Sequence, residues 1–99
     1  MIKKQFLKSR PVCKLTFELP KEVEADWVEL VADVNGWQPV RLEHLKDGRW
    51  KLQQEVPTGA EIGFRYRLGR AEAVEWRDDD DADRFVRNRY GGQDGVVVA

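Results

Sequence analysis

The chain has 99 residues, which leaves room for one domain. Its 17 basic and 18 acidic residues give a formal net charge of −1, so the chain as a whole is not a polycation suited to a phosphate backbone. Cys13 is the only cysteine, which excludes an intrachain disulfide and a four-cysteine zinc site. The N-terminus has no apolar leader, and no apolar run approaches the ~20 residues that span a bilayer. We therefore expect a cytoplasmic protein with no membrane partner.

Alternation of apolar and polar residues with a period of two dominates the chain. The alternating segments, in chain order, are 13–19, 27–34, 49–56 and 61–68, with a final valine strand at 96–98. Each pattern is typical of a half-buried antiparallel strand. Turn signals separate the segments at Asn35-Gly36, Asp47-Gly48, Pro57-Thr58-Gly59 and Gly91-Gly92. Only 21–26 has a helix-friendly composition, and it is short. The pattern predicts an all-β sandwich or small barrel.

Charge is segregated at two places along the chain. Residues 1–14 carry five basic side chains and no acid, and we predict that 1–12 form a basic N-terminal arm before a single domain at 13–99. Five aspartates crowd the stretch 78–83. This run lacks the glycine and the distal glutamate of a helix-loop-helix calcium site, so we predict a solvated loop rather than a calcium site.

Residues suited to catalysis are sparse. Ser9 is the only serine and His44 the only histidine, and pairing them would require the basic arm to reach a loop. Cys13 alternates with core residues and is predicted to be a buried thiol, whereas His44 is predicted to decorate a turn. The 18 acids supply carboxylate pairs for glycoside hydrolysis, but a 99-residue sandwich has little material to wall a cleft. We predict a protein that is not an enzyme and uses no cofactor or metal.

Four tryptophans are many for so short a chain, because a small core rarely hides them all. Trp50 falls on the apolar face of its strand and is predicted to belong to the core. Trp27 begins a strand on the polar face, and its role stays open. Trp37 follows a strand end, and Trp76 is flanked by charges before the acidic run, so both are predicted at loops. Each is either a lid on the core or a flat binding platform.

The order of the motifs along the chain resembles that of a known family. The motifs are Val28-Glu29-Leu30-Val31-Ala32-Asp33-Val34-Asn35-Gly36-Trp37, Asp47-Gly48-Arg49-Trp50, Pro57-Thr58-Gly59, Phe64-Arg65-Tyr66-Arg67-Leu68, Glu75-Trp76, and Asp83–Gly92 with the closing valines. Together they resemble the family 48 carbohydrate-binding modules, the early-set domains of isoamylases, branching enzymes and the AMP-activated protein kinase beta subunit. The likeness covers 13–99 and implies an immunoglobulin-like, antiparallel β-sandwich.

The resemblance also implies a ligand and a set of binding residues. The ligand would be an α-1,4-linked glucan or maltooligosaccharide, bound without catalysis, and a glucan-metabolising enzyme is left open as a protein partner. Matching by motif gives a carbohydrate site at Trp37, Arg65, Trp76, Tyr90 and Asp94. Alternation independently puts Arg65 on the polar face of its strand.

The sequence departs from the family pattern in three places. Ala32-Asp33-Val34-Asn35 stands where the family has glycine, aspartate, phenylalanine and asparagine, and the hairpin 69–75 before Trp76 is long. Asp94 replaces an asparagine and can only accept hydrogen bonds.

Two other functions stay open. The first is a protein-interaction or regulatory sandwich that uses the basic arm or a sheet edge. The second is a small barrel that stacks single-stranded nucleic acid on Trp37, Trp76 and Tyr90. It is disfavoured because acids are interspersed with the arginines on the strand faces, and we predict no nucleic-acid partner.

Overall fold

Ten strands and one turn of 3-10 helix make up the regular structure of the computed structural model, which describes all 99 residues. The strands are β1 (Ile2–Phe6), β2 (Val12–Leu19), β3 (Trp27–Ala32), β4 (Val40–Arg41), β5 (Glu43–His44), β6 (Trp50–Pro57), β7 (Glu61–Arg70), β8 (Ala73–Arg77), β9 (Arg84–Arg87) and β10 (Gln93–Val98). The 3-10 turn, Asp33–Asn35, follows β3. This three-residue turn is the only helical segment, so the structure contains no helix that could span a membrane.

The strands form two sheets in which every pair is antiparallel. The first sheet has the order β1-β2-β6-β5, and the second has the order β4-β3-β7-β10-β9, with β8 also paired to β7. β7 is therefore the hub of the second sheet, since it pairs with three strands. The two sheets pack face to face, which confirms the predicted all-β, antiparallel sandwich and is consistent with an immunoglobulin-like domain.

The core lies between the sheets and consists of the inward-facing residues of the alternating strands. It comprises 17 buried residues, among them Cys13, Leu15 and Phe17 of the first sheet and Phe64, Tyr66 and Leu68 of the second. The rings of Phe17 and Phe64 meet across the two layers with centroids 5.3 Å apart. The predicted burial of Cys13 and of Trp50 is confirmed.

Trp50 is buried although its indole carries a polar group. Its Nε1–H donates a 3.2 Å hydrogen bond to the Val23 carbonyl, which satisfies that group inside the core. The ring of His44 stacks on the indole at 3.8 Å and nearly parallel, so the only histidine covers a core residue.

The N-terminus differs from the prediction of a basic arm. Ile2–Phe6 form β1, which pairs with Phe17 back to Cys13 of β2 and so extends the first sheet. The sequence of β1 shows no clear alternation of apolar and polar residues, because a charged residue, Lys4, occupies an inward-facing position at the sheet edge. Its ammonium group is neutralised there by Asp83 of the opposite layer at 2.9 Å.

The acidic run 78–83 forms a loop, as predicted, and Asp80, Asp81 and Asp83 are exposed in it, but Asp79 is not solvated. Asp79 is buried and accepts a 2.7 Å hydrogen bond from the Tyr66 hydroxyl. It also forms a 2.8 Å ion pair with the Met1 amino group. Asp81 accepts from the backbone N–H of Ile2. A carboxylate is buried in a protein only when it is paired, and these partners satisfy Asp79. The same contacts join the N-terminal strand β1 to the second sheet.

Several strands begin or end at other residues than the alternation in the sequence predicted. β3 ends at Ala32 rather than at residue 34, because the 3-10 turn takes the chain off the sheet. β10 begins at Gln93, three residues before the predicted valine strand. Trp76, predicted at a loop, lies in β8, whose five residues are all exposed. The stretch 21–26 forms no helix.

Candidate functional site

The outward-facing residues of β3 and β7 form one continuous surface, called here the outer face of the second sheet. Val28, Leu30 and Ala32 of β3 and Phe64, Tyr66 and Leu68 of β7 point into the core. The alternate positions must therefore point outward: Trp27, Glu29 and Val31 on β3, and Gly63, Arg65, Arg67 and Gly69 on β7. The register sets Val31 beside Arg65 and Glu29 beside Arg67.

An open concave pocket of about 830 Å³ lies on this outer face. Its nine lining residues include all five that the family resemblance singled out: Trp37, Arg65, Trp76, Tyr90 and Asp94. Residues from a turn, three strands and a hairpin loop are thus brought together, although Trp37 and Asp94 are 57 positions apart in the chain. Val31, Asn88, Arg89 and Gly92 complete the lining.

Trp37 is set at one end of the pocket by a tight turn. Gly36 and Trp37 both have left-handed backbones, with φ of 64° and 63°, and the Trp37 N–H donates to the Ala32 carbonyl at 2.9 Å. Its indole lies over Gly63, where an added Cβ would be 3.5 Å from the ring. The side chain is 47% exposed, so one part of the ring packs on the sheet and the rest faces solvent.

The turn that carries Trp37 is tied to both sheets by polar contacts. Asn35 and Gln54 of β6 exchange two amide hydrogen bonds, of 2.8 and 3.2 Å. The Asp33 carboxylate accepts a 3.0 Å bond from the Gly63 N–H. These contacts hold Trp37 in position although it stands outside a strand.

Arg65 lines the pocket next to Trp76. Its Cζ atom is 5.3 Å from the centroid of the Trp76 ring, within the range of a cation–π contact. Its Nε atom is 3.4 Å from Oδ1 of Asp78, and both atoms are buried without a hydrogen-bond partner. Gln93 donates a 3.1 Å hydrogen bond to the other oxygen of Asp78. Trp76 is 46% exposed, which leaves part of its indole free for a ligand.

The loop between β9 and β10 closes the other side of the pocket and is organised by Asn88. The Asn88 side-chain oxygen accepts from the backbone N–H groups of Tyr90 and Gly92, at 3.0 and 3.1 Å. Its amide nitrogen donates to Asp94 at 3.2 Å. Tyr90 is 85% exposed at the tip of the loop, with the Arg89 guanidinium 5.5 Å from its ring. Such a ring is available to a ligand because it has almost no packing of its own.

Asn88 and Arg89 line the pocket but were missed by sequence reasoning. An asparagine two positions before Tyr90-Gly91-Gly92 is a pattern typical of a side-chain-capped turn, and Gly91 adopts a φ of 85° there. This signal could have identified Asn88. Nothing in the sequence distinguishes Arg89 from the other arginines nearby.

The charges around the pocket are balanced. The pocket lining carries Arg65, Arg89 and Asp94, and Asp78, which lies beside it, forms an ion pair with Arg65, so neither sign of charge is in excess. No group of three or more His, Cys, Asp or Glu side chains is placed to hold a metal ion. The arrangement offers aromatic faces, guanidinium donors and carboxylate acceptors.

Compared with protein-family models and with curated proteins, the chain shows no match. The likeness to family 48 modules therefore depends on the ordered motifs of the sequence, and the ligand that it implies remains a prediction.

Proposed function

We propose that this protein is a non-catalytic, cytoplasmic module that binds an α-1,4-linked glucan, such as a glycogen- or starch-type chain or a maltooligosaccharide. The observation that carries the proposal is the convergence of two half-exposed indoles, Trp37 and Trp76, with Arg65 in one open pocket. A core would not need these rings, because Trp50 and the inward-facing aromatics already fill it.

The chemistry of the pocket suits a neutral sugar. A pyranose presents a face of C–H groups that packs on an indole, and its hydroxyls both donate and accept hydrogen bonds. Arg65 and Arg89 supply donors, and Asp94 supplies an acceptor. The balance of charge gives no preference for a polyanion, which argues against nucleic acid as the ligand.

The expected affinity is weak. At ~25 cal/mol per Å² and roughly 60 Å² per indole face, each stack contributes ~1.5 kcal/mol. Two stacks and a few hydrogen bonds come to ~−4 to −6 kcal/mol, hence a dissociation constant of roughly 0.05–1 mM. Weak sites of this kind suit a polymer that offers many copies of the same unit. A glucan-metabolising enzyme would be a natural protein partner for such a module.

A protein-interaction module is the second candidate, and one observation favours it. β9 is a free edge of the second sheet, its four residues are all exposed, and Phe85 is among them with 42% of its surface accessible. Free edges with apolar side chains accept an added strand from a partner.

Calorimetric titration with maltoheptaose tests the glucan proposal. Wild type should bind in the submillimolar to millimolar range, and Trp76→Ala should weaken binding about tenfold, because one stack of ~1.5 kcal/mol is lost. Phe85→Ala is the matched control, since it removes an exposed ring outside the pocket. If wild type gives no heat of binding at millimolar sugar, the glucan proposal is rejected and the protein-interaction module remains as the candidate.

A further inference from the structure

The outer face of β7 has a symmetrical sequence of side chains. Reading along the strand, the outward positions are Gly63, Arg65, Arg67 and Gly69, that is, two arginines between two glycines. At ~3.4 Å per residue the row spans about 20 Å. Of these four residues only Arg65 lines the pocket.

Each glycine of this row lies beneath a tryptophan. Trp37 lies over Gly63 at one end. At the other end the Trp27 indole occupies the space above Gly69, so that any Cβ at position 69 would overlap the ring. Trp27 belongs to the outer face and is only partly buried. Its ring therefore lies at the far end of the same surface from Trp37.

Each arginine of the row is paired with a different indole. Arg65 approaches Trp76, and the Arg67 Cζ atom is 5.4 Å from the centroid of Trp27. Arg41 of β4 is 5.2 Å from the same centroid. The arrangement of ring and guanidinium in the described pocket is thus repeated beside it.

Glu29 connects the two arginines at Trp27. Its carboxylate is 3.2 Å from Arg67 and 3.7 Å from Arg41, and its side chain is largely buried. A carboxylate held by two guanidinium groups beside a partly exposed indole offers acceptors and donors for sugar hydroxyls. The register also places Trp76 beside Arg67, so the second cluster begins where the first ends.

We propose that Trp27, with Arg41, Glu29 and Arg67, forms an additional subsite, and that the protein binds a linear glucan segment longer than a trisaccharide along β7. This inference rests on the proposed glucan function. The ligand at this subsite is the same glucan chain that binds at Trp37 and Trp76. The pocket and the Trp27 cluster are continuous on one face of the sheet and share the row of arginines on β7.

The dependence of affinity on chain length tests the proposal. Maltotriose is short enough to be held by the pocket alone, whereas maltoheptaose can also reach Trp27. Trp27→Leu keeps an apolar side chain over Gly69 but removes the flat ring. It should weaken maltoheptaose about fivefold or more and leave maltotriose unchanged, since one stacking contact is lost only for the longer chain. Phe85→Leu is the matched control and should leave both affinities unchanged.

The other outcomes separate this inference from the function on which it rests. Equal affinities of wild type and Trp27→Leu for maltoheptaose would overturn the subsite while the pocket remains a glucan site. Failure of wild type to bind either sugar would overturn both. If Trp27→Leu does not fold, Arg41→Ala carries the same test, because this side chain is 62% exposed and its removal leaves the core untouched. A selective loss for maltoheptaose supports the subsite, and unchanged binding overturns it.

Discussion

The Nε atom of Arg65 lies 3.4 Å from Oδ1 of Asp78, and the Arg65 guanidinium faces the Trp76 ring on the same side of the sheet. Trp76 lies near the end of β8, and Asp78 is the first residue after that strand. Both contact Arg65, Trp76 through its indole ring and Asp78 through its carboxylate. Neither of the two buried polar atoms has a hydrogen bond. Asp78 therefore acts on Arg65 by charge and fixes where its donors point.

The first prediction concerns Asp78 as a positioning residue. Asp78→Ala should weaken maltoheptaose binding about threefold, because Arg65 loses the charge that orients it. The unfolding free energy should fall by about 1–3 kcal/mol, because the pair is mostly buried and Gln93 also loses its acceptor. Asp80→Ala is the matched control, since Asp80 is exposed in the same acidic run. Calorimetry and urea unfolding of both variants measure the two quantities. An equal effect of the two substitutions on sugar affinity would contradict the role given to Asp78.

The two glycines of β7 should respond differently to the same substitution. Gly69→Ala forces the Trp27 indole from its place and should lower the unfolding free energy by about 1–3 kcal/mol. Gly63→Ala meets only ordinary contacts, the closest being 3.4 Å from Asp33, and should be tolerated. Urea denaturation of the pair measures the difference. Equal midpoints would mean that Trp27 does not lie over Gly69.

The backbone of Trp37 supports a third prediction. A residue other than glycine is strained in the left-handed region that Trp37 occupies, by about 1 kcal/mol or more. Trp37→Gly should therefore be more stable than Trp37→Ala by about 1 kcal/mol, the reverse of the usual order of these two residues. Both variants should lose most of the sugar affinity. Thermal unfolding that ranks Ala above Gly would show that the turn is not left-handed at this position.

Tyr66 gives a prediction for alkaline pH. Burial, and secondarily the Asp79 carboxylate, raises the pKa of Tyr66 above its usual value of 10.0. The unfolded chain then loses the phenol proton at a pH where the folded chain keeps it. The contribution is complete below about pH 10 and declines above it, by about 1.4 kcal/mol for each pH unit.

Urea unfolding between pH 9 and 11 checks this expectation. Tyr66→Phe should be less stable than wild type near neutrality, by about 1–3 kcal/mol, because Asp79 loses a hydrogen bond. It should also lose the alkaline decline attributed to the phenol. Tyr90→Phe is the control, since Tyr90 is exposed, and it should keep the wild-type slope. A slope that is unchanged in Tyr66→Phe would refute the assignment.

Alternation in the sequence was enough to predict the fold class and much of the core. Inward positions such as Leu15, Phe64 and Trp50 follow a period of two, and this signal survives because each strand has one buried face. The pocket residues were predicted through an ordered family resemblance. Alternation independently supports only Arg65, although the excess of tryptophans over what a core needs pointed to Trp37 and Trp76.

The remaining features could not be predicted because they depend on contacts between distant residues. β8 and β9 are exposed at every position and so carry no alternation of burial. Asp79 belongs to a run whose composition indicates solvent, and its partners Met1 and Tyr66 are reached only once the sheets have packed. The position of Trp27 depends on Gly69, which is 42 residues away (69 − 27).

The most direct test of the glucan site is to follow the four indole N–H resonances by NMR during a maltoheptaose titration, with assignments from single Trp→Phe variants. The signals of Trp37 and Trp76 should shift and saturate together in the submillimolar to millimolar range, whereas that of Trp50, which is hydrogen-bonded inside the core, should stay fixed. If the Trp37 and Trp76 resonances do not move even at sugar concentrations several-fold above this range, the glucan site is contradicted.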